Sequence, residues 1–290
     1  MRHRLVIFVL VLASALSGYG QMHRIGFGLS AGVHTQFGDS SLTNTWGPTV
    51  GLSFRYSCLF HVGSEVWLGP QTGLEAAWTQ SGWEQAYSGK LSKTDYLGHQ
   101  IDYTMSGNIT ERHDHINVAV PLMAALRYRG IIIGLGFKAR AMMWTQYKTS
   151  ASDIDLSAYY PDFDVTLAGK DAVETYSTEM SASGARKTPE WHVAVAAEAG
   201  YEWRIKKHQH LGVLVFVDYG LWNSYSRPTD APQQSLDVTR IVTEGKLPDF
   251  ILTPLCSTAL NRFHPLSIGL TVTYTFDFES KSHHCNCLPY

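Results

Sequence analysis

The chain lacks several features that mark common protein classes. After the first 20 residues it has no run of 18 apolar residues, which excludes membrane-spanning helices. Helical periodicity is nearly absent. The formal net charge is only −2 and the pI is about 6.7. The sequence also has no basic stripe of the kind that binds nucleic acid. A glycine-rich phosphate-binding loop is also missing. What remains informative is the spacing of the apolar residues.

Residues 1–20 have the pattern of a secretory signal peptide. Arg2 and Arg4 precede an apolar run over residues 5–16, and small residues follow as far as Gly20. The apolar run is too short for a membrane helix, and the small residues suit a signal peptidase. We therefore predict that this segment is removed and that the mature chain is exported.

Two neighbouring segments have apolar residues at every second position. They cover residues 116–128 and 131–143, and only Arg129 and Gly130 separate them. This pattern predicts two antiparallel strands joined by a tight turn. Each run exceeds the five or six residues of an ordinary strand and reaches the roughly 9 to 11 residues that a tilted strand needs to cross a bilayer. The pair is therefore predicted to be a membrane hairpin.

The same alternation recurs along the mature chain. Eight runs cover approximately residues 23–37, 46–60, 64–81, 115–128, 131–148, 190–205, 211–225 and 264–278. Short connections alternate with longer ones, and the long ones are 82–114, 149–189 and 226–263. This layout is typical of an outer-membrane barrel with short periplasmic turns and long extracellular loops. We predict an all-β fold, an eight-stranded antiparallel up-and-down transmembrane β-barrel over residues 21–278. A periplasmic tail, residues 279–290, follows it, so that both chain ends are periplasmic.

The two faces of each predicted strand differ in chemistry. One is apolar and is predicted to face lipid, whereas the other carries small and charged residues that would fill a narrow lumen. The lumen charges are predicted to pair, because an unpaired buried charge costs several kcal/mol. They are Arg55, Glu75, Arg127, Lys138, Arg140, Glu198, Glu202, Arg204 and Asp218. A paired network would plug the barrel, and the alternative is a gated ion path.

Aromatic residues cluster near the ends of the runs. Two girdles of Trp and Tyr are expected at the two membrane interfaces, since these rings have an apolar body and a polar tip. The predicted girdle contains Trp46, Trp67, Trp78, Tyr128, Trp191 and Trp203. By their alternation, Trp144 and Trp222 are instead expected to point inward and line the mouth.

Candidate chemistry is sparse. His113, Asp114, His115 and His192 lie at the predicted outer rim, where a histidine beside a carboxylate could activate a serine or water for an enzyme acting on lipid. No serine nucleophile is marked by a motif, however. The acidic residues of 149–189 do not have the spacing of a calcium loop. We predict no catalytic residue, no metal site and no cofactor.

The sequence has four cysteines. In the predicted topology Cys58, Cys285 and Cys287 lie on the periplasmic side, so that a disulfide from Cys58 to Cys285 or Cys287 is possible, whereas Cys256 lies in an external loop. The tail residues His283 to Cys287 leave a zinc or copper site as an alternative.

Four segments resemble the PorT-like outer-membrane β-barrel family of Bacteroidota. They are RIGFGLSAGVHTQF, GPQTGLEAAWTQSGW, INVAVPLMAALRYR with Pro121, and TVTYTFDF. The resemblance implies outer-membrane lipid, the barrel assembly machinery and periplasmic chaperones as partners, together with a surface, secretion or uptake partner. The chain departs from the family pattern because residues 279–290 follow the strand that normally ends with the assembly signal.

The expected function is that of a non-enzymatic outer-membrane barrel with a structural or interaction role at the cell surface. Two alternatives stay open at this point: a narrow pore for ions or small solutes, and a lipid-modifying enzyme at the rim. A soluble lipocalin-like barrel is a further alternative, but it predicts an apolar interior, whereas here the face opposite the apolar one is small and charged.

Overall fold

The structure is a computed structural model that describes residues 21–37, 42–63, 65–186, 190–221, 236–238, 249–255 and 264–279. Eight long strands dominate it: β1 (Gln21–Phe37), β2 (Thr43–Gly63), β3 (Val66–Thr94), β4 (Gln100–Tyr128), β5 (Ile131–Tyr160), β8 (Glu190–Lys206), β9 (Gln209–Gly220) and β12 (His264–Glu279). Within the described residues, no helix has the length and apolar character needed to cross a membrane. The predicted signal peptide and all of the predicted tail except Glu279 lie outside the described residues.

The eight strands close into a ring. Each pairs antiparallel with its neighbours in the order β1, β2, β3, β4, β5, β8, β9 and β12, and β12 pairs again with β1. The predicted eight-stranded up-and-down barrel is confirmed, and each predicted run corresponds to one strand of the ring. Closure leaves the ring without a free sheet edge.

The outer wall of the barrel is apolar. Leu52 and Leu122 expose 63% and 62% of their surface, and Phe27, Leu29, Phe54, Leu74, Leu135, Phe137, Val215, Leu270 and Val272 are also exposed. The alternate residues of the same strands point into the ring, and most of them are small, polar or charged. A polar interior inside an apolar wall is the arrangement of a transmembrane barrel.

The connection between β4 and β5 is the predicted two-residue turn. Arg129 has a φ of 49° and Gly130 has a φ of 91°. Two successive positive φ values are those of a type I′ turn, whose twist matches that of the flanking strands. The register on either side is regular, with Tyr128 opposite Ile131.

The prediction that residues 82–114 form a loop is wrong. Strands β3 and β4 continue to a turn near Gly98, and each is 29 residues long. Above the barrel the apolar residues of these strands change from the outward to the inward positions. Val120 and Leu122 point outward, whereas Tyr103 and Met105 point inward and are buried. Because the apolar side switches from the outer face to the inner face, a search for lipid-facing alternation ends too early.

The long segment 149–189 is also largely structured. Strand β5 is 30 residues long and ends at Tyr160. Two further strands, β6 (Val165–Ala168) and β7 (Met180–Arg186), pair with the upper part of β5. A short 3-10 helix at Gly169–Asp171 lies between β6 and β7. In the third predicted loop, 226–263, the described parts contain β10 (Leu236–Val238) and β11 (Phe250–Leu252), which pair with each other.

We use the name cap for the upper parts of β3, β4 and β5 together with β6, β7, β10 and β11. The cap has its own apolar core, distinct from the polar lumen below. Its buried members are Leu42, Trp83, Ile101, Tyr103, Met105, Ile109, Ala151, Ile154, Leu156, Ala158, Ala172, Val173, Leu236, Val238, Phe250, Leu252 and Leu255. The molecule is therefore a transmembrane barrel that carries a folded β-structure at one end.

Candidate functional site

The first charge cluster fills the lumen at the end with the short turns. Arg24 contacts Glu202 at 2.5 Å through Nη2 and Asp277 at 2.7 Å through Nε. Arg127 approaches the same two carboxylates at 3.3 and 3.5 Å, and His210 Nε2 lies 2.8 Å from Asp277. Strands β1, β4, β8, β9 and β12 each contribute one of these side chains, so the cluster ties opposite walls of the barrel together.

A second cluster occupies the middle of the lumen. Lys138 Nζ lies between two carboxylates, 2.8 Å from Glu75 and 3.1 Å from Asp218. Arg140 also contacts Asp218, at 2.7 Å. The remaining contacts join Arg55 to Glu198 at 2.6 Å, Arg55 to Glu75 at 4.0 Å and Gln71 to Glu198 at 2.8 Å. Each buried charge in this group therefore has a partner of opposite sign.

The structure brings most of the predicted lumen charges together. Arg55, Glu75, Lys138, Arg140, Glu198 and Asp218 lie in the middle cluster, and Arg127 and Glu202 lie in the lower one. Arg204 lies outside both: it is exposed at the end of β8 and donates from Nη2 to the Lys207 carbonyl at 3.0 Å. Arg24 and Asp277 were not in the predicted set. Arg24 shares the inward phase of Gly26 and Gly28, which is the signal that would have found it.

Little space remains between these side chains. One cavity of about 40 Å³ lies beside Lys138, and another of about 30 Å³ lies between the two clusters. One buried water molecule needs a cavity of about 10 to 15 Å³, so each of these cavities has room for very few water molecules. An aqueous path through the barrel would require the charge clusters to move.

Histidines and amides form a polar layer above the charges. His34 Nδ1 lies 2.9 Å from Ser267 Oγ, and His115 contacts Gln36 and Thr145, both at 3.1 Å. These side chains are buried. The layer separates the ion pairs from the apolar core of the cap.

The candidate catalytic residues of the rim do not form an open site. His113 and His115 are both fully buried, and His113 Nε2 contacts Glu111, not Asp114, at 2.7 Å. Asp114 points to the outer surface, where it accepts a hydrogen bond from Gln80 at 2.8 Å. His192 is also buried. A substrate in the membrane or in water would not reach these imidazoles without opening the cap.

Glu111 joins the cap to the barrel. Its Oε2 accepts one hydrogen bond from Thr149 Oγ1 and one from the Leu255 backbone N–H, both at 2.6 Å, while Oε1 faces His113. Glu111 is buried. A buried carboxylate with several donors is strongly held, because losing any one donor leaves unsatisfied charge. This residue therefore anchors the segment of Leu255 to the top of the lumen.

Five of the six predicted girdle residues point toward lipid. Trp191 exposes 73% of its surface, and Trp46, Trp78, Tyr128 and Trp203 are also exposed. Trp67 points inward instead and packs against Met22, Leu59 and Ala125 at the lower end of the lumen.

Trp144 points outward, so the prediction that it lines the mouth is wrong. Trp144 is opposite Ile116, but Met142 is opposite Asn117, which leaves Met143 as an extra residue in a bulge. Met143 and Trp144 are both exposed. Trp222 lies outside the described residues.

The predicted metal and cysteine sites fall mainly outside the described part of the chain. Cys58 is described and half-buried, but Cys256, Cys285 and Cys287 are not described, so the possible disulfide stays a prediction. Within the described ranges, no group of three His, Cys, Asp or Glu side chains is placed to hold a metal ion.

The far end of the cap carries an apolar surface, which we call the tip patch. It consists of Tyr96, Leu97, Tyr159, Phe163 and Val165, which expose between 39% and 65% of their surface. Two adjacent turns carry these residues. His99 connects the turns, since its ring packs on Phe163 at 4.9 Å and its Nδ1 lies 2.8 Å from Asp162.

No protein-family model matches the sequence, and a comparison with curated proteins finds no match. Among solved structures, the chain is similar to Ail, the attachment invasion locus protein of Yersinia pestis, in a complex with the heparin analogue sucrose octasulfate. The two chains are 8% identical, the match covers 89% of this chain and 99% of that chain, and the TM-score is 0.25. It is also similar to the outer membrane protease OmpT from Escherichia coli (10% identity, 89% and 97% covered, TM-score 0.28). A third similar structure is the outer membrane protein OprG from Pseudomonas aeruginosa (9% identity, 90% and 97% covered, TM-score 0.20). The closed ring of paired strands itself defines the barrel fold.

Proposed function

We propose that this protein is a non-enzymatic outer-membrane barrel that presents its cap outside the cell as a binding surface for a partner protein. The observation that carries this proposal is the tip patch, which places exposed aromatic and aliphatic side chains at the end of the cap farthest from the membrane. Exposed apolar patches of this kind mark interaction sites, because leaving them in water is unfavourable.

The interior of the molecule supports the same role. The lumen is filled by ion pairs, and the cap above it has a core of aromatic and aliphatic residues that includes Trp83 and Tyr103. A filled barrel under a packed cap is a rigid support for the tip patch. A rigid binding surface loses less conformational entropy when a partner binds.

The burial of His113 and His115 favours a binding role over a catalytic one. A general base must come within hydrogen-bond reach of its substrate, and both rings are enclosed by the cap. We also propose that the chain belongs to the PorT-like family, which the four sequence segments named above support.

The orientation is tested with epitope tags at two described turns. One tag is inserted at Gly98, in the turn between β3 and β4, and the other at Lys207, in the turn between β8 and β9. The proposal expects antibody to reach the first tag on intact cells and the second only after permeabilisation. If antibody reached only the second tag on intact cells, the barrel would have the opposite orientation, with the cap in the periplasm, and the proposal would be overturned.

The binding role is tested by site-specific photocrosslinking on intact cells. A photoreactive amino acid replaces Leu97 in the tip patch or, as a control, Thr104 on the exposed polar flank of the cap. The proposal expects a discrete crosslinked protein at position 97 that is absent at position 104 and is lost in the Phe163→Ser variant. Equal products at both positions, or none at position 97, would contradict a specific partner at the tip.

A further inference from the structure

The end of the barrel opposite the cap is strongly basic on one side. The β8–β9 hairpin carries Arg204, Lys206 and Lys207, all exposed, and none of the three has a carboxylate partner among the described residues. The neighbouring β4–β5 turn is different, because its Arg129 forms an ion pair with Glu65. The excess positive charge at this end of the described chain is therefore concentrated on one hairpin.

The depth of this hairpin relative to the membrane follows from its outward side chains. Tyr201, Trp203 and Ile205 expose 43%, 51% and 52% of their surface, and the first two rings pack edge to face at 5.1 Å. Tyr and Trp are favoured at the boundary between lipid tails and head groups. The cations that follow them in the chain consequently lie at head-group depth.

A cavity of about 500 Å³ lies beside the hairpin, and we call it the turn-side cavity. Its lining includes Tyr201 and Trp203 from the lipid-facing wall as well as Arg127 from the lumen, together with Arg204 and Lys207. It therefore reaches over the end of the barrel wall. A lipid whose tails lie along the outer wall could place its head group there.

The acidic residues around this cavity are already neutralised. Glu202 and Asp277 are buried against Arg24 and Arg127, and Glu65 is paired with Arg129. Among the described residues that line the cavity, Arg204 and Lys207 are thus the charges without a charged partner. The position of the turn is fixed, since the Asp277 N–H donates to the His208 carbonyl at 3.0 Å.

We propose that the β8–β9 hairpin and the turn-side cavity bind the phosphate group of an anionic phospholipid through Arg204 and Lys207. Attraction to a negatively charged lipid surface adds a favourable contribution for each cation at head-group depth. This site lies at the opposite end of the molecule from the tip patch, so its failure would leave the proposed role of the cap untouched.

The test uses the full chain in a neutral detergent, with bound lipid counted by native mass spectrometry during titration with dioleoyl phosphatidylglycerol or dioleoyl phosphatidylcholine. The wild type is expected to bind the anionic lipid in preference to the zwitterionic one. The double variant Arg204→Gln/Lys207→Gln should weaken phosphatidylglycerol binding by about 10- to 30-fold. The variant Arg204→Lys/Lys207→Arg should restore it.

The matched control is Lys90→Gln/Lys148→Gln, which removes two exposed cations from the other half of the molecule. Retained phosphatidylglycerol affinity in this control supports the site. An equal loss in both double variants would show attraction to net charge alone and overturn the proposal. Equal binding of phosphatidylcholine, or displacement of the lipid by an equal concentration of inorganic phosphate, would also overturn it.

Discussion

Arg24 and Glu202 are 178 positions apart in the sequence, yet Nη2 of the one and Oε1 of the other lie 2.5 Å apart inside the barrel. Both side chains are buried, at 7% and 0% exposure. Arg24 lies on the first strand of the ring, and Glu202 lies on the sixth. The contact therefore spans the lumen and exists only when the ring is closed.

Replacing Arg24 with Gln is expected to destabilise the folded barrel by about 3 to 5 kcal/mol, because Glu202 and Asp277 lose a buried counter-charge. Urea unfolding in detergent micelles, followed by tryptophan fluorescence, measures the change. The control is Arg129→Gln, which breaks an exposed ion pair and should leave the unfolding midpoint unchanged. Similar midpoints for the two variants would mean that the lumen pair contributes no more than a surface pair.

The filled lumen is expected to block ions. The wild type should give no steady conductance in a planar bilayer. Lys138→Ala/Asp218→Ala enlarges the cavity of about 40 Å³ without changing net charge, but it should also stay closed, because the cluster of Arg24, Glu202 and Asp277 still fills the lumen below it. Steady wild-type currents with selectivity altered by Arg140→Gln would instead favour the narrow-pore alternative.

The membrane part of the fold could be predicted from the sequence because two different environments impose a period of two. Residues such as Leu122 and Leu135 face lipid, and the residues between them face a lumen with room for small or paired side chains. Above the membrane water replaces lipid outside, and the apolar side turns inward at Trp83 and Tyr103. The alternation persists there, but its phase reverses, which is why the length of β3 and β4 was underestimated.

The details of the lumen were harder to predict. The pairing of Arg24 with Glu202 depends on how the strands are offset around the ring, and one strand alone does not carry that information. The outward orientation of Trp144 depends on a one-residue bulge at Met143, which becomes visible only from the register with β4. Local alternation therefore predicts which face a residue occupies, whereas the partner across the barrel requires the closed structure.

Trp83 is part of the apolar core of the cap and also contacts the upper end of the barrel strand β1. Its side chain is fully buried, and Nε1 donates to the Gln36 carbonyl at 3.0 Å. Trp83→Ala should destabilise the cap by about 3 to 5 kcal/mol through the cavity it leaves. Limited proteolysis of the protein in micelles should then cleave within residues 83–111, while the heat-resistant migration of the barrel on gels is retained. Trp144→Ala, at a lipid-exposed position, is the control and should leave the cap resistant to protease.

Glu111 is expected to hold the segment around Leu255 in place. Glu111→Gln removes the charge and replaces one acceptor oxygen with a donor, so at least one of the hydrogen bonds from Thr149, Leu255 and His113 is lost. Hydrogen exchange measured by mass spectrometry should show faster exchange in residues 249–255, with no change in β1 or β12. Asp114→Asn, three residues further along the strand but on the outer face, should leave that exchange unchanged. Faster exchange in β1 as well would mean that Glu111 supports the whole barrel, because loosening of the cap alone would not reach the strand that closes the ring.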